Sequence, residues 1–310
     1  YYFPIENFIL SDQEALAENL GLVLKASHDD AKNELPGHIV DVLNALPTPT
    51  PSHYQIAQSL TKNEQSFLLS GLLCHSHKEY ALIRSYLNIL SYVTNSSLGE
   101  LTYGANTVGA YLTGCIPHRK AFGESTESGL NAFEICTKNH ELIALYGIET
   151  EDCLYQEELD QSIIESKTTV LFSSFITPFI KEHADILFPI KTAYESKGTF
   201  INASGMIQNF NLQLELAKDN LSNQELLFQI IETSKLPKPS LDNLNEEIGK
   251  FITNTRHTQT RLLEVPEQSS KTVDNHYRIS SGPYNVDSIT RRSKPLQLTK
   301  DASLQDIGDG

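Results

Sequence analysis

Cysteine is the residue type in this 310-residue chain with the widest chemical repertoire, because it can ligate metals, act as a nucleophile and change oxidation state. The four cysteines are Cys74, Cys115, Cys136 and Cys153. Iron–sulfur and zinc sites are typically built from closely spaced cysteine pairs, and no such pair occurs here. Histidines follow two of the cysteines, in CHSH (74–77) and CIPH (115–118). We predict cysteines that fill apolar space and histidines that cap helices or lie at the surface, and no metal site.

A second candidate for chemistry is the glycine pair Gly104 and Gly109, which has the G-x-x-x-x-G spacing of a phosphate-binding loop. Such a loop continues with Lys and then Ser or Thr, which contact phosphate and Mg²⁺. Here Ala110 and Tyr111 follow, so the sequence does not support nucleoside triphosphate chemistry. We predict instead a compact turn between a strand and a helix, with Asn106 as a cap of that helix.

Nucleophilic catalysis has no recognisable signature in the chain. The G-x-S-x-G pattern of a nucleophile elbow is missing, so no serine is marked as a nucleophile. Glu195 is a candidate acid or base, because it lies in a polar turn between two apolar runs. A carboxylate in such a turn more commonly braces its own backbone. The sequence therefore assigns no catalytic residue.

The elements that must position these residues alternate in type after Ser52, which predicts an α/β fold. Predicted strands are Phe67–Cys74, Leu98–Tyr103, Leu142–Tyr146, Val170–Ser174, Ile186–Pro189 and Thr199–Ile201, and predicted helices among them are Lys78–Val93 and Glu157–Ser166. This alternation favours a doubly wound, mostly parallel sheet, in which ligands bind beyond the carboxyl ends of the strands. The turns at 104–109 and 195–205 follow predicted strands, so they are expected at such positions.

Composition shifts divide the chain into three predicted segments. These are a helical lead-in and Pro-rich connector over 1–51, an α/β core over 52–212, and a helical segment with an extended tail over 213–310. In the first segment, a capping box of Ser11 and Glu14 predicts the start of one helix, and a second helix is predicted over Pro36–Leu46. In the last segment, helices are predicted at Leu221–Ile231 and Leu241–Ile252, with Ser222 and Ser240 as their N-caps. The PTPTP stretch (47–51) predicts a stiff boundary linker, and residues beyond Arg256 are expected to be extended or partly disordered.

Charge and hydropathy narrow the class of protein. Acidic residues number 39 against 24 basic ones, and the formal net charge of -15 disfavours nucleic acid and anionic lipid as partners. No apolar run approaches the roughly 20 residues of a membrane-spanning helix, and no signal peptide is recognisable. We therefore predict a cytoplasmic protein without direct membrane insertion. Because the chain begins at Tyr1 without Met, we expect it to be part of a longer protein.

Three segments, in order, resemble a known protein family. HADILFPIKTAYESKGTFINASGMIQNF (183–210) resembles a segment of the molybdopterin-dependent oxidoreductases that reads A-D-x-x-L-P and then E-x-x-G-T-F-x-N-x-E-G-R at the rim of the cofactor pocket. GANTVGAYLTGCIPHR (104–119) and VDSITRRSKPLQLT (286–299) are similar to segments of the large iron–sulfur subunit, the G chain, of bacterial NADH:quinone oxidoreductase, respiratory complex I. The resemblance extends from about Ser66 to Thr299 and is weak between these segments.

One departure from the family pattern concerns anion binding. Where the pterin enzymes tend to have Glu-Gly-Arg, this chain has Ser204, Gly205 and Met206, so a guanidinium that could hold phosphate through two hydrogen bonds is missing. Asn202 and Gly205 match the family pattern. We predict that both shape the turn, because both residue types tolerate left-handed backbone.

The resemblance implies a molybdopterin-oxidoreductase-like fold that has lost its cofactor. The chain would then be a structural and interaction part of the respiratory enzyme, in which iron–sulfur clusters upstream of this segment carry electrons from NADH to quinone. The resemblance implies no catalytic residue, metal or cofactor in this segment, other peripheral-arm subunits as partners, and a cytoplasmic location beside the inner membrane. Candidates for a vestigial pocket are Gly104, Asn106, Glu195, Thr199, Asn202 and Gly205.

Two other functions stay open at this point. One is an active molybdopterin-dependent oxidoreductase that holds its cofactor through other residues. The other is a small-molecule-binding module on the same scaffold, which would need a polar pocket near Asn106 and Asn202.

In the polar tail, Arg291, Arg292 and Lys294 form a compact basic cluster. These side chains are either solvated or dock onto an acidic patch of a neighbouring subunit.

Overall fold

The computed structural model describes residues 4–29, 33–63, 65–153, 155–214, 221–236, 243, 246–251, 264–266, 284 and 287–303. The chain forms two compact units, and each is described by itself. The first unit comprises Tyr1–Val108, Asn202–Met206 and Ile252–His276, and the second comprises Gly109–Ile201, Ile207–Phe251 and Tyr277–Gly310.

Helices dominate the first unit. They are α1 (Leu16–His28), α2 (Gly37–Ala45), α3 (Pro51–Lys62) and α4 (Tyr80–Thr94). Helix α1 packs against α3 and α4, and the fully buried side chains of Leu24, Ile39, Leu43, Ile89 and Val93 form the centre of the core. Burial of each such side chain stabilises the fold by about 1.5–3 kcal/mol.

A two-stranded parallel sheet completes the first unit. Strands β1 (Phe67–Ser70) and β2 (Ser97–Glu100) pair in register from Phe67 opposite Ser97 to Ser70 opposite Glu100. Helix α4 connects them, as a parallel pair requires. The helix ends at Asn95, whose φ of 55° is left-handed, and the Ser91 hydroxyl donates to the carbonyl of Ser96 at 2.7 Å. This turn places the start of β2.

The second unit contains a three-stranded parallel sheet. Its strands, β3 (Leu142–Tyr146), β4 (Thr168–Ser173) and β5 (Ile186–Pro189), lie in sequence order. Helix α7 (Gln156–Glu165) connects β3 to β4, and α8 (Pro178–His183) connects β4 to β5. On one face of the sheet, Ile143, Leu145 and Leu171 pack with Leu159 and Ile163 of α7.

An aromatic row crosses the other face of this sheet. Tyr146, Phe172 and Phe188 occupy paired positions on the three strands, and neighbouring ring centroids are 4.9 Å apart. Helix α9 (Asn223–Thr233) lies against this face, where Leu226 packs on Phe172 and the Tyr146 hydroxyl donates to the carbonyl of Asn223 at 3.0 Å. The aromatic row therefore fixes both the strand register and the position of α9.

The remaining described elements are short. Strands β6 (Gly198–Ile201) and β7 (Ile207–Phe210) form an antiparallel hairpin. Further helices are α5 (Thr107–Leu112), α6 (Ala132–Thr137) and Lys294–Gln297, and residues 246–251 are also helical. Single 3₁₀ turns are Gln13–Ala15, Leu72–Ser76, Ala121–Gly123, Thr150–Asp152, Ala193–Glu195, Thr290–Arg292 and Lys300–Ser303.

The structure confirms a mixed α/β chain with parallel strands, and the predicted bounds of β3 and β5 are correct. One doubly wound sheet is not confirmed, because the described strands form three small sheets and the order β3-β4-β5 never reverses. Strand β1 is shorter than predicted, since the chain turns into a 3₁₀ helix at Leu72. In the part of the chain that the structure describes, no helix is long and apolar enough to cross a membrane.

Three predictions for the terminal segments need correction. The capping box of Ser11 and Glu14 is wrong, because a 3₁₀ turn with Asp12 as its N-cap leads into α1. The PTPTP stretch lies inside the first unit, where its last proline begins α3, and it does not coincide with the division between the units. An extended tail is wrong for residues 290–303, which form short helical turns.

The helix predicted at Leu221–Ile231 is confirmed as α9, and Ser222 is its N-cap. Of the helix predicted at Leu241–Ile252, residues 246–251 are described and helical, whereas Ser240 lies outside the described residues. Most of the chain between Arg256 and Val286 also lies outside them.

Candidate functional site

A cavity of about 1080 Å³ lies at the carboxyl edge of the β3-β4-β5 sheet. It is lined by the residues that follow each strand, namely Gly147 after β3, Ser174 and Phe175 after β4, and Lys191 after β5. Gly147 has a φ of +67°, and its N–H donates to the carbonyl of Phe172 at 2.8 Å. Because parallel strands bring their carboxyl ends to one edge, the topology itself creates this site.

A large part of the cavity lining is apolar. Phe200 of β6 and Phe210 of β7 contribute rings whose centroids are 4.8 Å apart at an angle of 64°. A Cβ at Gly198 would stand 2.7 Å from the Phe210 ring, so glycine permits this close approach. Helix α9 adds Leu227, Phe228 and Ile231. A wall of this kind suits a ligand with an apolar or aromatic body.

Two glutamates at the cavity hold local backbone turns. The Glu195 carboxylate accepts hydrogen bonds from the Thr192 N–H at 3.2 Å and the Thr192 hydroxyl at 2.9 Å. Glu225 accepts from the Ser222 hydroxyl at 2.7 Å and the Ser222 N–H at 2.8 Å. The bond from the Ser222 hydroxyl, followed by the one from its N–H, lowers the pKa of Glu225. Both carboxylates complete capping boxes, at the turn Ala193–Glu195 and at α9.

A third carboxylate at the cavity has the same kind of role. Asp287 accepts hydrogen bonds from the N–H groups of Ile289 at 2.8 Å and Thr290 at 2.9 Å. The Thr290 N–H contributes most to lowering the pKa of Asp287, and partial burial opposes it. A general acid at neutral pH needs a raised carboxyl pKa. Asp287 and Glu225 therefore stay ionised and act as caps.

The cavity also contains cationic and amide groups. Lys191 and Lys197 line it, and their charges help to lower the pKa of Glu225. The side-chain oxygen of Asn223, at the start of α9, is buried and has no hydrogen-bond partner among the residues that the structure describes. This oxygen could accept a hydrogen bond from a donor group of a ligand or from water.

The sequence-based pocket candidates fall in different units. Gly104 and Asn106 belong to the first unit, where the Gly104 N–H donates to the Thr107 hydroxyl at 3.1 Å in a turn before α5. Glu195 and Thr199 belong to the second unit. Of these two, Glu195 lines the cavity, whereas the Thr199 hydroxyl donates across the hairpin to the amide oxygen of Asn209 at 2.8 Å.

The turn of the hairpin confirms a role in backbone geometry for Asn202 and Gly205. The Asn202 side-chain oxygen accepts from the N–H groups of Ser204 and Met206, both at 3.0 Å. Gly205 has a φ of +75°, as the sequence predicted. Asn202 acts through its side chain and not through a left-handed backbone. At the altered anion-binding position, Met206 is 53% exposed.

The basic cluster of the tail is engaged by carboxylates of its own unit. Arg291 pairs with Glu149 at 2.8 Å and with Asp152, and these carboxylates raise the pKa of Arg291 against the effect of burial. Arg292 pairs with Glu149 at 3.0 Å, and its guanidinium lies 4.2 Å from the centre of the Phe175 ring. Arg291 and Arg292 were expected to be solvated or to dock onto a neighbouring subunit. They pair instead with carboxylates of their own unit, so simple solvation is wrong, and docking onto a partner stays a prediction. Lys294 is exposed.

A titratable cluster that the sequence did not reveal lies at the carboxyl ends of β1 and β2. The Tyr80 hydroxyl donates to Glu100, His75 Nε2 lies 3.3 Å from Glu100 Oε1, and Arg84 lies 3.4 Å from Glu100 Oε2. The adjoining cavity has only about 50 Å³, and it contains the buried hydroxyl of Ser70, which has no partner among the described residues. This space suits water and not an organic substrate.

His77 is the more buried of the two histidines in the CHSH segment, and it has the structural role that the sequence predicted. It accepts a hydrogen bond from the Glu79 N–H at 3.0 Å near the start of α4, and its Nε2 lies 3.1 Å from the carbonyl of Gln13. Among the described residues, no group of three or more His, Cys, Asp or Glu side chains is arranged to hold a metal ion.

No protein-family model matches the chain, and no curated protein matches it.

We predict that Glu149→Gln will loosen the segment 287–303, because Glu149 is 4% exposed and holds two guanidinium groups. Breaking a buried ion pair costs about 3–5 kcal/mol, and the partial exposure of both arginines reduces the expected loss to about 1–3 kcal/mol. Urea unfolding measures this loss, and limited proteolysis detects release of the segment.

Glu141→Gln provides the matched control, because Glu141 pairs with Lys167 at 2.6 Å while its side chain is 84% exposed. This variant should change the free energy of unfolding by less than about 0.5 kcal/mol. Equal effects of the two substitutions would contradict the anchoring role of Glu149.

Proposed function

We propose that this chain is a structural and interaction module, similar to the C-terminal part of the G subunit of bacterial NADH:quinone oxidoreductase. In this proposal it belongs to a doubly wound, molybdopterin-oxidoreductase-like domain. It supports the electron transfer from NADH to quinone that iron–sulfur clusters upstream of this segment perform. The segment itself contributes no catalytic residue and holds no cofactor.

The main support for this proposal is that the carboxylates at the cavity cap turns and helix ends. Glu195, Glu225 and Asp287 each accept hydrogen bonds from residues within three positions of their own. A carboxylate committed to a cap is a poor general acid or base, because proton transfer would break the cap. The groups best placed for chemistry at the sheet edge therefore stabilise turns.

The altered anion-binding segment supports the same proposal. An arginine at the position of Met206 would hold phosphate through two charge-assisted hydrogen bonds, and methionine cannot. The hairpin geometry is kept, since Gly205 and the side chain of Asn202 still form the turn. A scaffold that keeps its backbone while it lacks its anion-binding side chain is consistent with a structural role.

An interaction role is supported by apolar surface on the β3-β4-β5 sheet. Leu142 is 59% exposed, Ile186 is 46% exposed and Phe188 is 36% exposed, and all three belong to the face with the aromatic row. Faces of purely parallel sheets are normally covered on both sides. We propose that other peripheral-arm subunits cover the part of this face that α9 leaves exposed, on the cytoplasmic side of the inner membrane.

We expect Leu142→Glu to weaken co-purification of the chain with the other peripheral-arm subunits by about tenfold or more, because it places a charge in an apolar contact. The unfolding midpoint should change little, since Leu142 is already exposed. Leu10→Glu is the control, because Leu10 is 87% exposed in the other unit. Unchanged co-purification of the Leu142 variant would count against the proposed interface.

Small-molecule binding is a second candidate function, which the cavity of about 1080 Å³ favours. Its volume matches that of a cofactor or metabolite site, and Lys191 and Lys197 supply polar contacts. If the small molecule bound in this cavity were a molybdopterin cofactor, the chain would be part of an active molybdopterin-dependent oxidoreductase.

The second candidate predicts that small molecules raise the melting temperature of the wild-type chain in a ligand screen. Leu227→Arg should abolish the response, because Leu227 lines the cavity yet is 44% exposed, so the variant can fold. A response that survives this substitution would locate binding elsewhere, and no response at all would favour the structural role.

A further inference from the structure

Two cysteines that are distant in sequence meet in the second unit. The sulfur atoms of Cys136 and Cys153 lie 3.6 Å apart, and both are free thiols. Cys136 lies on α6, which starts from a capping box between Asn131 and Glu134. Cys153 directly follows the 3₁₀ turn Thr150–Asp152, and its N–H donates to the carbonyl of Thr150 at 3.0 Å. Each sulfur is thus held by ordered local structure.

The two thiols have different environments. Cys136 is 4% exposed and packs in the core with Ile143 and Leu159, whereas Cys153 is only partly buried at the edge of that core. Burial, followed by the charge of the neighbouring Cys153, raises the pKa of the Cys136 thiol to about 12. Cys136 therefore stays protonated at neutral pH. Cys153 is the thiol that a reagent from solvent meets first.

The separation of the sulfur atoms is short enough for a covalent bond to form with small movements. A disulfide has an S–S length of about 2.0 Å, so the sulfur atoms must approach by roughly 1.5 Å. Rotation about the side-chain bonds of two cysteines can supply such a change. We propose that Cys136 and Cys153 form a redox-active dithiol, in which a peroxide oxidises Cys153 and Cys136 then closes a reversible disulfide.

The proposed reaction balances as a two-electron oxidation. The Cys153 thiol loses its proton, and the thiolate attacks one peroxide oxygen. The O–O bond breaks, Cys153 becomes a sulfenic acid, and the other oxygen takes up the released proton and leaves as water or an alcohol. The Cys136 sulfur then attacks the Cys153 sulfur, the S–O bond breaks, and the hydroxyl leaves as water with the Cys136 proton. Two thiols and one peroxide give one disulfide and two molecules of water when the peroxide is hydrogen peroxide.

The surroundings of the pair favour a neutral oxidant. A second cavity, of about 330 Å³, borders Cys136, and the charged residues that line it in the described part of the chain are Glu157, Glu158, Glu165 and a single cation, Lys138. These carboxylates repel anionic oxidants such as glutathione disulfide, whereas hydrogen peroxide carries no charge.

The disulfide between Cys136 and Cys153 would tie α6 to the turn that presents Glu149 and Asp152 to Arg291. Oxidation would therefore brace the turn on which the segment 287–303 is anchored.

The test treats the full chain with hydrogen peroxide under native conditions, and then counts free thiols and maps peptides without reduction. The four thiols should fall to two, the Cys136 and Cys153 peptides should be linked, and dithiothreitol should restore all four. The Cys136→Ser variant should accumulate sulfenic acid at Cys153, which dimedone traps, because the second thiol is missing.

Cys115→Ser is the matched control, because Cys115 is exposed and takes no part in the proposed bond. This variant should lose two of its three remaining thiols, as linked Cys136 and Cys153. The proposal would be overturned if the peroxide leaves the Cys136–Cys153 peptides unlinked in the wild-type chain. It would also be overturned if the linkage forms only after denaturation, since that would show that the folded geometry does not favour it.

Discussion

The parallel pairing of β3, β4 and β5 is the constraint on which the described structure of the second unit depends. Parallel strands cannot be joined by tight turns, so α7 and α8 must cross over and cover one face. The same pairing gathers three strand ends at one edge, where the large cavity lies. The aromatic row of Tyr146, Phe172 and Phe188 fixes the register and supports α9, which supplies another wall of that cavity.

The carboxylates at this edge of the sheet form hydrogen bonds with the backbone of nearby turns and helix ends. Helix ends and tight turns leave N–H groups without partners, and the cavity carboxylates satisfy them. Each capping contact removes one group from the set available for catalysis. What then distinguishes the cavity is its shape and its aromatic wall. This division of roles underlies our preference for a structural module and leaves ligand binding as the second candidate.

Local sequence signals predicted much of the secondary structure. Strands β3 and β5 were predicted with the correct bounds, because short β-branched or aromatic runs between polar turns are typical of buried parallel strands. Ser222 was a correct N-cap, since its capping box depends only on residues within one helical turn. The role of Gly205 was likewise predictable from its residue type. In contrast, Ser11 failed as a cap, because the chain enters α1 through a 3₁₀ turn.

Features that depend on distant partners could not be predicted. The arginines of the tail pair with Glu149 and Asp152, more than a hundred positions away, so no local sequence pattern could indicate these ion pairs. The proximity of Cys136 and Cys153 arises because α6 and the turn after β3 both pack against α7, and a separation of 17 positions matches no cysteine motif. The cavity arises in the same way, since only the folded topology assembles its walls.

The central claim is that this chain contributes architecture to the respiratory enzyme and holds no cofactor that carries electrons. Its most direct test is mass-spectrometric determination of molybdenum, tungsten and iron, with a fluorescence assay for released pterin. The samples are the purified chain and the complete subunit of which we propose that it is a part. We predict iron only in the complete subunit and no pterin in either sample. Stoichiometric pterin with molybdenum or tungsten in either sample would contradict the structural role and establish an active cofactor site.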